Sequence, residues 1–211
     1  LIVAQEIRMN IATKAALRDL IGDAHPITVD KEMDYLDKHA RHFIELSPFL
    51  CLGTTNGAGQ ADVSPRGDPA GFVKVVDERT LLIPERPGNR RADSMLNVMA
   101  EPVVGLIFFV PGIEETLRVS GRATVIDDAT QLADLAVQGK APKLGIRVEV
   151  ERVFFHCAKA LKRSRLWDPA AQVPRDAFPT PGEVIRDQRR PQDSAEALDA
   201  LVIEDQKNNL Y

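Results

Sequence analysis

Apolar and polar positions change rhythm along this chain. Residues 12–21 are rich in Ala and Leu and predict a helix, which His25-Pro26 ends because the residue before a proline avoids the helical region. Met33, Leu36, Ala40, Phe43 and Ile44 recur at helical spacing. They predict a second helix over 30–46, with Asp30 as N-cap and that apolar face in the core. From Ser47 the period shortens. Phe49–Thr55 reads as a strand, Asn56-Gly57-Ala58-Gly59 as a turn, and 60–64 as the antiparallel return. Further strands are predicted over 71–76, 80–83, 103–110, Thr116–Ile126 and Gly145–His156. Residues 103–110 are almost wholly apolar, the pattern of a strand buried on both faces. Alternation in the final strand fails at Val153-Phe154-Phe155, which predicts a bulge or a change of burial. Helices are expected over 91–100 and 129–138, and over 195–204 after a proline-rich stretch that begins at Asp168. Short strands joined by tight turns, with helices inserted between them, predict a mainly β, α+β fold: an antiparallel barrel with helical additions.

Composition narrows the chemistry. With 211 residues and 44% apolar side chains, the chain supports one core with appendages. A formal charge of −4 argues against a general nucleic-acid binder, so any basic site must be local. One such site is the loop Pro84-Glu85-Arg86-Pro87-Gly88-Asn89-Arg90-Arg91, whose arginines stand directly before a predicted helix. Unpaired N–H groups at a helix start and forked guanidiniums both suit phosphate oxygens; a solvated surface loop is the alternative. Cys51 and Cys157 lie in apolar stretches and are expected as buried thiols, and His156 is expected to be buried beside Cys157. The four histidines are scattered and no CxxC spacing occurs, so no metal site is expected. No run is long enough to span a membrane and no leader pattern opens the chain, which leads to the expectation of a soluble, cytoplasmic protein.

Three stretches together carry a resemblance. They are Asp62-Val63-Ser64-Pro65-Arg66-Gly67-Asp68, the run from Leu81 through Pro84 to Arg91, and Glu115-Thr116-Leu117-Arg118-Val119-Ser120-Gly121. Over about residues 30–168 the chain resembles the pyridoxamine 5′-phosphate oxidase-like flavoproteins, and within them a branch of FMN-dependent enzymes of unidentified substrate. The resemblance implies an FMN-binding antiparallel split β-barrel at 30–168, an N-terminal helical extension over 1–29, and a C-terminal extension over 169–211 that packs on the barrel or a partner subunit. It implies FMN as cofactor, held at a homodimer interface. It places Arg66, beside Ser64, at the flavin phosphate or ribityl chain, and Asn89-Arg90-Arg91 at the phosphate. Ile83 and Pro84 would lie along the isoalloxazine edge. Thr116 stands where the oxidases carry a glutamine that hydrogen-bonds the cofactor, so that contact is shortened or lost. In place of the oxidases' C-terminal Arg-Leu-His, the chain has Lys162-Arg163-Ser164-Arg165-Leu166-Trp167-Asp168. Trp167 would then either stack near the flavin or substrate from the partner subunit or anchor the tail, with Arg163 and Arg165 binding a substrate anion. The implied function is an FMN-dependent oxidoreductase acting on a small molecule. The alternative is a non-catalytic protein that binds or stores a flavin, a deazaflavin or haem. Redox chemistry would reside in the cofactor, and no dedicated acid–base residue stands out. Asp62, Asp68 and Glu115 are acids near the site with turn and strand-edge roles as alternatives.

Overall fold

The computed structural model describes residues 11–88 and 90–211 and divides the chain into two compact units, Leu1–Glu32 and Met33–Tyr211. In the first, Thr13 Oγ1 accepts from Ala16 N and starts α1 (Lys14–Ile21). His25 caps α2 (Pro26–Asp30), where Pro26 stands in the first turn and its missing N–H costs nothing. No residue of either helix is buried.

The second unit holds the barrel. The predicted helix over 30–46 is corrected here. Asp37, not Asp30, caps α3 (Lys38–Leu46), accepting from Ala40 N at 2.8 Å. Met33 instead exchanges backbone hydrogen bonds with Val153 at 3.0 and 2.7 Å. A bridge to the sheet satisfies groups that a continuing helix would have paired internally. Only the Ala40, Phe43 and Ile44 part of the expected apolar face is helical and buried.

Seven strands follow: β1 (Phe49–Thr55), β2 (Ala61–Gly67), β3 (Lys74–Val75), β4 (Thr80–Pro84), β5 (Val103–Phe109), β6 (Thr116–Ile126) and β7 (Gly145–His156). They form one antiparallel sheet in the order β2-β1-β5-β6-β7-β4-β3. α4 (Asp93–Ala100) packs against β1, β2 and β6. β2 and β4 stand five strand intervals apart, which in a flat sheet would separate them by roughly 24 Å. Yet Arg66 of β2 lies 3.4 Å from Glu85 at the end of β4, and Asp68 pairs with Arg86. The sheet therefore curls until its two sides nearly meet without closing, which is the split barrel. Buried side chains from β1, β4, β5, β6 and β7 join α3 residues in a single cluster that includes Leu50, Ile83, Phe108, Val119 and Val148.

Three expectations need correction. β5 alternates, with Val104, Leu106 and Phe108 buried and Val103 48% exposed, so only one face is covered within the chain. Both cysteines are free thiols: Cys51 is half-buried because it alternates with the inward Leu50 and Leu52 on β1, and Cys157 is exposed just past the end of β7; His156 is exposed as well. The helix expected over 129–138 is the single turn α5 (Ala129–Ala133), capped by Asp128. The irregularity expected in β7 is present slightly earlier. Register shifts between Ser120 and Gly121, leaving Glu151 as the extra residue, and Glu151 and Arg152 are both exposed.

After β7 come α6 (Lys159–Ser164), α7 (Pro181–Arg189) and α8 (Ala195–Asn208). Thr180 and Glu183 form a reciprocal capping box on α7, and Gly182 N donates to Asp199 Oδ1 at 2.7 Å to join α7 to α8.

Gly121 sits at the bulge, where a Cβ would overlap the carbonyl of Glu149. Gly121→Ala should therefore lower unfolding stability by about 2–3 kcal/mol in urea titrations. Gly105→Ala, whose Cβ meets open space, should be neutral or slightly stabilising.

Candidate functional site

Where the curled edges approach lies a groove of about 1030 Å³. Its walls are the end of β2 (Ser64 to Gly67), Pro84 and the loop after it, the first turn of α4, the 140–144 segment before β7, and Tyr211. Five basic side chains line it against one acidic one: Arg66, Arg86, Arg90, Lys140 and Lys143 face Glu85. In a chain of net charge −4 this is a local concentration of positive potential, as an anion site requires.

Two arginines are held differently. Arg86 Nε donates to Asp68 Oδ2 at 2.5 Å and Nη2 to the Leu135 carbonyl at 2.8 Å, while the Asp68 side chain is only 1% exposed. Arg86 is thus a fixed strut. Arg66 is held loosely: Nη1 donates to Ser64 Oγ at 3.2 Å, and Nη2 lies 3.4 Å from Glu85 Oε2. That separation is long for a charge-assisted bond. Arg66 Nε and Glu85 Oε2 are buried with no hydrogen-bond partner, so the pair attracts through space without a well-formed bond. A half-satisfied guanidinium beside a groove is a group with donors to spare.

Backbone geometry adds to the site. Arg90 and Ala92 both have φ near 59°, in the left-handed region that non-glycine residues rarely adopt. Ala92 is the N-cap of α4 and offers no side-chain cap, so the first N–H groups of the helix are left for water or a ligand.

The expected site residues do not all converge. Ser64, Arg66, Pro84 and Arg90 line the groove. Ile83 is fully buried in the core cluster. Arg91 does not line the groove; it is exposed and its Nε donates to Asp93 Oδ2 at 2.7 Å, a hydrogen bond that raises its pKa further. Asn89 lies outside the described residues. Thr116 is buried opposite His156 in the β6–β7 ladder. Trp167 Nε1 donates to the Ile113 carbonyl at 2.8 Å, tying the start of the tail to the β5–β6 connection. Arg165 pairs with Asp168 at 2.6 Å and has a left-handed backbone at the end of α6, and Arg163 lies in the last turn of that helix. None of Thr116, Arg163, Arg165 and Trp167 lines the groove of its own chain.

Sequence reading missed Glu85 as a partner of Arg66, and it missed Lys140, Lys143 and Tyr211. The run Lys140-Ala141-Pro142-Lys143 before β7 mirrors the basic, proline-bearing loop after β4, and that likeness was the available signal. Glu85 N donates to the Leu144 carbonyl at 3.0 Å, which sets the two loops side by side.

An antiparallel split barrel with a cationic groove between its edges defines the class of this protein. A family model described as pyridoxamine 5′-phosphate oxidase matches residues 36–157, more than half of the chain and all seven strands. The chain belongs to the pyridoxamine 5′-phosphate oxidase family. No curated protein matches it. Among solved structures, HupZ of Group A Streptococcus is 17% identical with a TM-score of 0.45, over 56% of this chain and 92% of that one. General Stress Protein 26 from Bacillus anthracis is 12% identical with a TM-score of 0.42, over 56% and 93%. HutZ, the haem storage protein of Vibrio cholerae, is 12% identical with a TM-score of 0.40, over 57% and 93%. The assignment rests on the family model.

Because Arg86 and Asp68 are both withdrawn from water, Arg86→Gln should leave a buried carboxylate without its counter-charge and cost about 3–5 kcal/mol in denaturant titrations. Arg91→Ala, which removes a solvent-exposed pair, should leave the midpoint within error of the parent.

Proposed function

We propose that the groove binds FMN and that the protein is an FMN-dependent oxidoreductase acting on a small molecule. The observation that carries this reading is the buried, unpartnered Nε of Arg66 beside a groove with four further cations, in a chain whose overall charge is negative. The residues present fit the group. A phosphate dianion needs several charge-assisted donors to offset its loss of water, and Arg66, Arg90 and the free N–H groups of α4 supply them. Phe72, Pro84, Pro87, Met95 and Pro142 provide apolar contact for a planar ring. Bound FMN would supply hydride or electron acceptance at its isoalloxazine ring. Arg66 would exchange its long contact with Glu85 for phosphate oxygens, and the surrounding cations would offset the like-signed carboxylate that Glu85 leaves beside the bound anion. Arg86, already committed to Asp68 and the Leu135 carbonyl, would hold the loop in shape and leave the binding to its neighbours.

A homodimer completes this proposal. Phe49, Val63 and Val103 are exposed on β1, β2 and β5, giving the sheet an uncovered apolar outer face. Thr116, Trp167, Arg163 and Arg165, which do not reach the groove of their own chain, would reach a cofactor only across such an interface. A second reading is favoured by Lys140 and Lys143. These cations exceed what one phosphate requires, and they suit a deazaflavin with an acidic tail, bound for storage or for turnover.

The visible spectrum of the purified protein tests the cofactor. Bands near ~370 and ~450 nm, with FMN released on heating, are expected. Joint replacement of Arg66 and Arg90 by Ala should weaken FMN binding by about 100-fold or more, as expected from losing two charge-assisted contacts. Unchanged affinity in that variant would exclude the groove as the phosphate site. A colourless protein that takes up deazaflavin in place of FMN would favour the second reading. Sedimentation should give twice the 23.3 kDa chain mass at micromolar concentration, and a lone monomer would count against the interface.

A further inference from the structure

Tyr211, beyond α8, reaches the groove although it is distant in sequence from every other residue there. Its phenol donates to Asp68 Oδ1 at 2.8 Å, its ring lies 5.8 Å from the Arg86 guanidinium carbon, and its backbone oxygen accepts from Lys140 Nζ at 3.0 Å. These contacts join it to the β2 side, the basic loop and the segment before β7. The hydrogen bond to Asp68 also holds the phenol above the ordinary tyrosine range.

The groove has two aromatic linings, Phe72 and Tyr211. Phe72 is only 8% exposed and belongs to the core cluster, so Tyr211 is the ring better placed for a ligand to meet. With Tyr211 docked the groove still measures about 1030 Å³, at the top of the range for small-molecule sites. Tyr211 therefore bounds the space and does not fill it. Its contacts also serve the site's frame, since Asp68 accepts from both Arg86 and the phenol.

We propose that Tyr211 is a ligand-facing wall of the anion groove, that a planar heteroaromatic anion bound there packs on its ring, and that ligand binding and docking of residues 209–211 reinforce each other. The proposal rests on the groove being the ligand site and deepens the reading above. Asn209 bonds back to Asp205 and Leu210 is exposed, so the three contacts that hold residues 209–211 to the groove are all made by Tyr211, and a segment so sparsely held opens readily by local unfolding. If the ligand prefers the docked form, linkage makes the effect reciprocal: the ligand slows opening of the strap, and the docked strap tightens the ligand.

The test uses the full chain with FMN as probe. Hydrogen exchange is followed with and without FMN, and the dissociation constant is measured by flavin fluorescence for the parent, Tyr211→Ala and Tyr211→Phe. FMN should slow exchange at 209–211 several-fold, along with 84–95. Tyr211→Ala should raise the dissociation constant roughly tenfold, and Tyr211→Phe, which keeps the ring, by about threefold or less. Protection of 84–95 with none at 209–211, together with an unchanged constant in Tyr211→Ala, would overturn the wall. Tighter FMN binding in Tyr211→Ala would also overturn it, since the strap would then be a plug. If FMN protects neither segment of the parent, the flavin reading fails separately. The ligand-free chain then decides the wall: Tyr211→Ala should speed exchange at 84–88 and 140–144, and no change there overturns it.

Discussion

The contact on which the site depends is the buried pair of Arg86 and Asp68. Asp68 follows β2 at one edge of the sheet, and Arg86 follows β4 near the other. Joining them holds the curl of the barrel at the point where it does not close. Withdrawing two charges from water is costly, and the attraction between them offsets this only when their remaining hydrogen-bonding groups are also satisfied. Here they largely are, by the Leu135 carbonyl on Arg86 and the Tyr211 phenol on Asp68. The network is specific because leaving any member unpaired in a low-dielectric setting is expensive.

Beside this satisfied pair lies an unsatisfied one. Arg66 Nη2 and Glu85 Oε2 face each other at 3.4 Å, while Arg66 Nε and Glu85 Oε2 make no hydrogen bond. The two pairs divide the labour of the groove, one keeping its shape and the other retaining donors that an anion can claim. Left-handed backbone at Arg90 and Ala92 belongs to the same arrangement. Strain of this kind persists only where surrounding contacts impose it, and here it turns the chain so that α4 begins at the groove with its N–H groups uncapped.

Much of the fold was legible because strand patterning is local. The bounds of β1, β6 and β7 match the alternation and turn residues seen in the chain, and the basic loop falls between β4 and α4 as expected. Errors arose where a tertiary contact outweighed local preference. Met33 shared a helical period with Leu36 and Ala40 but gave its backbone bonds to Val153. Apolar content in β5 suggested two covered faces, while the chain supplies cover for one. Of the expected site residues, Arg66 and Arg90 line the groove, whereas Arg91, which carries the same signal in the sequence, lies outside it and pairs with Asp93.

By itself the sequence determined the elements: a period of two with glycine turns makes strands, a period near 3.6 makes helices, and arginines before a helix make a cationic loop. These depend on residues within a few positions of one another. Tertiary structure alone decided which cations share a groove, because Arg66, Arg86 and Lys140 come together only once the sheet has curled and its edges approach. The same holds for Tyr211, which reaches Asp68 across 143 positions. No pattern along the chain encodes a contact whose partners are matched only by the geometry of the finished barrel.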